Sequence, residues 1–451
     1  MSQAVYAQTA PLSAHQQMTR EIFQQLIEIN TTDSVGNTTT AAEAMAARLK
    51  AAGFPADDIK VLGPNPRKGN LVFRYRGTGT RKPLLLLAHL DVVEALREDW
   101  SFDPFKFLEK DGYYYGRGTI DDKAMAAIFI ANLIRYKQEG FKPDRDLIVA
   151  LTTDEEGGDF NGVTWLLQHH RQLIDAEFGL NEGAGGQMHN GKRLLNAVQA
   201  SEKVYQSFVL EVKSDGGHSS RPTKDNAIYH LADGLLKISK YDFPVNLSEV
   251  TRTYFERSAK LESGQLAADL AAIAKPNPDA AAIARLTAIP AYNATMRTTC
   301  VATKLEGGHA DNALPQTARA VVNCRILPTE TAAQVHQTLI KVVANPRVSI
   351  TPKGEAQPSP PSPLSPTVMQ PIERITGEMW KGVPVVPVMS TGATDSAPLR
   401  NAGIPMYGVS GIFHERDDSR AHGKDERIGV KEFYEGQEFL YRLVKALSSG
   451  K

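Results

Sequence analysis

The sequence predicts an α/β fold interrupted by an inserted α+β domain. Three observations carry this expectation. Short apolar segments alternate with helical stretches up to about residue 201, a half-exposed alternating segment changes the character from 202, and a Pro/Ser-rich run at 355–366 precedes a return to strand and helix. The division is therefore 1–201, 202–354 and 355–451, the third piece completing the first domain. At 451 residues the chain is about three times the ~150 residues of one domain, so more than one core is expected.

Taken in order, Ser13 caps a helix whose Met18, Ile22, Leu26 and Ile29 recur at helical spacing, and a second helix from Thr39 or Thr40 stops at Gly53. Strands are expected at 71–75, 84–90 and 147–153, with a helix from Ala124 to Tyr136 between the last two. The inserted domain opens on the strand-like VYQSFVLEVKS, continues through a helix at 225–239 and a polar, Ala-rich stretch at 245–290, and has strands near 295–305 and 317–327. The 355–366 run is an extended linker. After it come a helix at 367–379, a strand near 383–388, a Gly/Thr/Ser loop at 390–396, a strand near 404–409 and a final helix from Lys431.

Lys plus Arg and Asp plus Glu both total 51, so the chain is formally neutral and lacks the basic excess that nucleic acid or anionic lipid would require. The apolar runs, Leu84 to Ala88 among them, are far short of the ~18 residues of a membrane span. The N-terminus lacks a complete signal peptide, yet Val5-Tyr6-Ala7 before Gln8 has the form of a cleavage site. A periplasmic or secreted protein after signal removal is expected, with a cytoplasmic one as the alternative.

LLLLAHLDVV ends an apolar strand with His89 and Asp91 two apart, on one side of an extended backbone. That reads either as a metal-ligand His beside an orienting carboxylate or as a core His with a capping Asp. Asp121-Asp122-Lys123 opens a helix, where carboxylates commonly compensate the dipole. TTDEEGG places Asp154, Glu155 and Glu156 directly after another strand, at the carboxyl edge where α/β sheets carry their sites. Glu182 in FGLNEGAGG and His422 in SRAHGKDERI complete a set of two histidines and several carboxylates from five segments. Together these are the donors of a dinuclear centre for a hard-to-borderline metal.

With AHLDVV, the Trp100 to Phe105 spacing, GRGTIDDK, TTDEEGG, NEG, GGHSSRP, GGHADNALPQTA followed by CRILP, GATDSA and AHGKDER in one order, the chain resembles a known family. This is the dinuclear zinc exopeptidases and amidohydrolases related to carboxypeptidase G, aminoacylase, acetylornithine deacetylase and succinyl-diaminopimelate desuccinylase. The resemblance implies an α/β/α zinc-exopeptidase-type catalytic domain with an inserted lid and dimerisation domain, and two Zn²⁺ per subunit, with Co²⁺ or Mn²⁺ also accepted. By motif position, Asp121 bridges the metals, His89 and Glu182 complete one, and Glu156 and His422 the other. Asp91 orients His89, and Glu155 is the general base. His218 is an oxyanion-stabilising residue offered to a partner subunit, which implies a homodimer. Asn312, Arg325, Thr391 and Gly392 hold the substrate carboxylate, although Arg325 also reads as a strand-face ion pair and His218 as a surface-loop histidine.

The implied reaction is hydrolysis of an amide bond next to a free carboxylate, by an exopeptidase, carboxypeptidase or dipeptidase acting on small peptides. The alternative is an N-acyl-amino-acid amidohydrolase, and a remoter one an inactive binding protein of the same fold. Two departures from the family pattern, Glu94 where Pro is common and Ala124 where Gly is frequent, touch no expected ligand. The 245–290 stretch exceeds the minimal inserted domain and reads as extra packing or as a gating element. Cys300 and Cys324 flank GGHADNALP with Asn312 midway, so a hairpin centred there would face them across two strands, as reduced thiols or as a disulfide.

Overall fold

The computed structural model describes residues 11–450, so the Val5-Tyr6-Ala7 reading lies outside the described residues. Two compact units are present. The first runs through Ala197 and includes Ser365–Val385 and Tyr407 onward; the second comprises Val198–Leu364 and Val386–Met406.

In the first unit, strand Arg81–His89 lies between Arg145–Thr152 and Phe178–Asn181, parallel to both, and Asn70–Tyr75 and Ile59–Leu62 add on antiparallel beyond Arg145–Thr152. Leu84, Leu85, Leu86 and Leu87 are buried, as a parallel strand covered on both faces requires. The register pairs His89 with Thr152 and Leu86 with Leu180, which brings the three carboxyl ends to one edge. At the far end of the same sheet Gly186–His189 pairs in parallel with Phe413–Glu415.

Helix Ala14–Ile27 starts at a capping box in which Ser13 Oγ accepts from the Gln16 amide and Gln16 Oε1 from the Ser13 amide. Its Phe23 stacks on Phe433 of the terminal helix Val430–Leu447. Helix Lys123–Gln138 is buried along nearly its whole length. A small sheet of Leu108–Lys110, Tyr113–Tyr115 and Arg427–Gly429 gave no signal in the sequence, because three residues are too few to show a period.

The second unit is a four-stranded antiparallel sheet in the order Thr299–Gly307, Thr317–Ile326, Val204–Lys213, Val348–Lys353. Its core includes Phe208, Leu210, Val322 and Ile326, packed with Leu231 of helix Ala227–Ser239 and Leu339 of helix Ala332–Val343. The 245–290 stretch forms helices Glu249–Ser258, Gly264–Ile273 and Ala280–Thr287, and with Pro290–Met296 builds a core of its own from Phe255, Leu270, Ile273, Leu286 and Met296.

The sequence divides 355–451 into a linker and the second part of the first domain. In the structure 355–364 and Val386–Met406 instead group with the second unit. The reason is a buried polar network: Arg400 pairs with Glu202 at 3.4 Å, and Glu202 also accepts from Ser359 Oγ at 3.1 Å and Thr394 Oγ1 at 2.9 Å. Cys300 and Cys324 are bonded as a disulfide between directly opposed residues. Among the described residues no helix is long and apolar enough to cross a membrane.

Candidate metal centre

His89 ends its strand and Glu156 follows the strand beside it. Asp121 precedes helix Lys123–Gln138, and His422 sits in a late turn at a positive φ of 63°. One donor atom from each of His89, Asp121 and Glu156 falls within 4.8 Å of the others, a group able to bind metal. His89 Nε2 lies 2.9 Å from Asp121 Oδ1, while His422 Nε2 lies 3.1 Å from Asp121 Oδ2 and 2.9 Å from Glu156 Oε1. Each oxygen of Asp121 thus faces a different imidazole. Glu182 follows strand Phe178–Asn181 and shares a cavity wall with Asp121.

His89 Nδ1 donates to the backbone carbonyl of Asp91 at 2.9 Å, and the Asp91 carboxylate stands 3.7 Å from the same nitrogen. The carboxylate instead accepts the Glu156 amide at 2.9 Å. This fixes the ring with Nε2 directed at the cluster, the orientation a metal-ligating imidazole needs.

Burial alone would lower the His89 pKa, but the Asp121 hydrogen bond and the neighbouring carboxylates hold it well above the ordinary value. His422 is pushed up to about 9, first by its hydrogen bond to Asp121. Burial, then the Asp121 charge, raises Glu156 to about 7, whereas Asp121 itself is held low despite burial by its bonds to His422 and His89. Half-buried carboxylates thus crowd together here, Asp121 kept charged by the two imidazoles and Glu156 pushed toward its neutral form, an arrangement that bound positive charge would relieve. Imidazole nitrogens and carboxylate oxygens suit zinc, cobalt or manganese, so the residues fit a divalent cation.

Lys68, Arg117 and Glu426 support the site without having been singled out in the sequence. Asp154, with φ of 55°, is anchored by Lys68 Nζ at 2.5 Å, and Lys68 also meets Asp33 at 2.6 Å. A side chain at Gly158 would strike the Asp154 carboxylate at 2.4 Å, which accounts for a glycine after the acidic triplet. Buried Glu426 accepts the amides of Gly118, Ile120 and Asp121 and pairs with Arg117. Arg117 and Glu426 lie inside GRGTIDDK and AHGKDER, but nothing local in either motif shows that they meet.

Glu155 follows Asp154 in the first unit, whereas His218, Asn312, Arg325, Thr391 and Gly392 lie in the second, in two groups. His218 sits opposite Ala313 in a short ladder, and the next residue, Ser219, donates its amide to the Asn312 carbonyl at 3.0 Å. Its Nδ1 accepts the Ser220 amide at 3.2 Å, which leaves Nε2 as the protonated nitrogen of the neutral ring. Arg325 stacks over Tyr205 and reaches the Thr391 carbonyl at 3.5 Å, next to Gly392.

A profile described as Peptidase family M20/M25/M40 matches residues 85–446, a span holding every candidate ligand from His89 to His422. The chain belongs to Peptidase family M20/M25/M40. Among M20/M25/M40 relatives, it is 30% identical over 370 residues to the N-fatty-acyl-amino acid synthase/hydrolase of Xenopus tropicalis, covering 80% of this chain and 72% of that one. It is 28% identical over 389 residues to the probable carboxypeptidase S-like 2 of Dictyostelium discoideum, covering 83% and 74%. The M20 family metallo-carboxypeptidase of Sulfolobus solfataricus shares the fold, with a TM-score of 0.67 at 15% identity over 95% of this chain and 99% of that one. The M20/M25/M40 protein is thus an enzyme, a metal-dependent hydrolase of amide bonds in small substrates.

Proposed function

We propose that the protein hydrolyses an amide bond next to a free carboxylate with two zinc ions per subunit, as a carboxypeptidase or dipeptidase or as a deacylase of N-acyl amino acids. One observation carries this reading: Asp121 offers each of its oxygens to a different imidazole, which is how a carboxylate bridging two cations is placed. Asp121 would be shared, with His89 and Glu182 on one ion and Glu156 and His422 on the other. When bound, the ions supply Lewis acidity, polarising the scissile carbonyl and making water a stronger acid. Glu155, half-buried beside Glu156, takes the proton of the attacking water and delivers it to the leaving nitrogen. Asp91 holds His89 through its carbonyl and Glu156 through its carboxylate.

Arg325 and the Thr391-Gly392 loop, which meet within the second unit, hold the substrate carboxylate together with Asn312, the guanidinium through paired hydrogen bonds. His218, with its proton on Nε2, stabilises the oxyanion in a partner subunit. A homodimer built on the second unit is supported by the edge strand Thr299–Gly307, where Val301 is 61% and Leu305 69% exposed, a surface suited to pairing with a second copy. A monomer in solution with full activity would reject this arrangement. The disulfide supports a periplasmic or secreted location.

The test is hydrolysis of dipeptides and N-acyl amino acids before chelation, after it, and after zinc is returned. Cleavage lost with chelator and restored by zinc is expected. Absence of cleavage by protein carrying both metals would reject the hydrolase reading.

A further inference from the structure

Alternation along the second unit's sheet turns Tyr205, Glu211, Arg319 and Arg325 away from the face that packs on helices Ala227–Ser239 and Ala332–Val343. On this open face two arginines stand directly opposite a residue of strand Val204–Lys213, Arg319 facing Glu211 and Arg325 facing Tyr205. Arg319 and Glu211 form an ordinary surface ion pair. Arg325 has no such partner, since among the described residues no carboxylate pairs with it. Its guanidinium carbon lies 4.9 Å from the Tyr205 ring centroid, and its Nη1 reaches the Thr391 carbonyl at 3.5 Å.

Both members of the pair are held in place. Cys324, the residue before Arg325, is bonded to Cys300 on the next strand, and Thr299, opposite Arg325 on that strand, accepts from the buried Lys203 Nζ at 3.3 Å. The ring is fixed from its hydroxyl end: Ser207 Oγ donates to the Tyr205 hydroxyl and accepts from Asn323 Nδ2, each at 3.2 Å, and Ser207 and Asn323 are themselves directly opposed. A guanidinium laid on an aromatic face is attracted by the ring electrons and keeps its in-plane N–H donors free. A bound carboxylate takes those donors two at a time, side by side. A protein carboxylate in place of Tyr205 would already fill them, whereas the ring holds the fork and leaves it open.

We infer that Tyr205 is the positioning residue of the substrate-carboxylate site, its ring holding the Arg325 fork beside the Thr391-Gly392 loop. The inference rests on the reading that Arg325 receives the substrate carboxylate, and it adds the residue that sets the geometry of that arginine. Without the ring, the long side chain is free to change rotamer, and a substrate must order it on binding. The loss therefore falls on affinity for the carboxylate and not on the chemical step.

The test uses zinc-loaded protein and two compounds: the preferred member of the panel of dipeptides and N-acyl amino acids, and the same compound with its carboxylate converted to a carboxamide. Wild type is compared with Tyr205→Phe, Tyr205→Leu, Tyr205→Gln and Arg325→Met. Tyr205 is 53% exposed, so losing its ring leaves the core of the unit intact. Wild type should prefer the acid over the amide by about 10- to 100-fold in kcat/KM. Tyr205→Leu and Tyr205→Gln should lower that preference by about three- to thirtyfold, through KM, with kcat within about twofold of wild type. Tyr205→Phe keeps the ring and should keep the preference. Wild-type preference in the two variants without a ring, a loss confined to kcat, or a Tyr205→Phe protein as impaired as Tyr205→Leu would overturn the inference. A wild type indifferent to the carboxylate, or an Arg325→Met protein that keeps the preference, would instead sink the reading that Arg325 receives this group, so the two failures are distinct.

Discussion

Arg117 donates to Glu426 at 2.7 Å with both side chains buried, and this one pair grips two candidate ligand segments. Glu426 accepts the amides of Ile120 at 2.7 Å and Asp121 at 3.3 Å, while Arg117 reaches the His422 carbonyl at 3.4 Å and lies over the Trp100 ring. Asp121 and His422 are thus fixed relative to each other by groups that are not themselves ligands. Glu426→Gln keeps the volume but leaves Arg117 buried without its counter-charge. Metal affinity should fall by about 10- to 100-fold, with a loss of about 3–5 kcal/mol in stability. Cobalt titration followed by absorbance, with thermal unfolding alongside, checks both. Affinity within twofold of wild type would show that the pair does not position the ligands.

Glu155 is expected to move a proton and Glu156 to bind metal, although the two are adjacent. Glu155→Gln should lower kcat by about 10²- to 10⁴-fold with both metals retained. Glu156→Gln should instead lower metal content. Metal analysis beside steady-state kinetics separates them, and an active Glu155→Gln protein would remove Glu155 from the mechanism.

The bond between Cys300 and Cys324 closes a loop of 24 residues in the second unit. Replacing both by Ala should destabilise that unit by about 2–4 kcal/mol. Thiol titration of unfolded, unreduced wild type should find no free thiol. Two titratable thiols would contradict the bond and, with it, the support for an oxidising compartment.

Acid should reach the first unit through Glu139. Burial opposes its charge, but hydrogen bonds from Tyr441, Arg135 and Lys445 prevail and hold its pKa at about 2, below the ordinary 4.5. A carboxylate with a depressed folded-state pKa adds stability above pH 4.5 and loses it as pH falls through 4.5 toward 2. Glu139→Gln should therefore unfold at a lower temperature than wild type at pH 7, and the gap should close by about pH 2. A gap that is constant or widens with acid would show that the charge of Glu139 contributes nothing.

Much of the fold was legible because its signals are local. Ser13 caps the first helix, Leu84 to Leu87 mark a strand buried on both faces, and the final helix starts within a residue of Lys431. The strand Val348–Lys353 and the helix Ala332–Val343 lie outside the expected elements, although Thr331 and Gln334 carry the local signal of a capping box. The Val386–Met406 segment could not be assigned in advance. Its place in the second unit depends on Arg400 meeting Glu202 across about two hundred residues of chain, and one such arginine in a sequence looks like any other.

Short segments dictate the kind of chemistry, namely which residues can hold a metal and which strand ends present them, because donor type and strand period are local properties. The tertiary structure alone decided how those donors are oriented and what surrounds them. His89 is held by the Asp91 carbonyl and not by its carboxylate, Asp121 is gripped by Glu426, and a cavity opens beside Glu182. Apart from the His89–Asp91 bond, these are contacts between segments far apart in the chain. Such contacts follow from how the sheet edge, the late turn and the small three-stranded sheet pack, and no spacing within a motif encodes that packing.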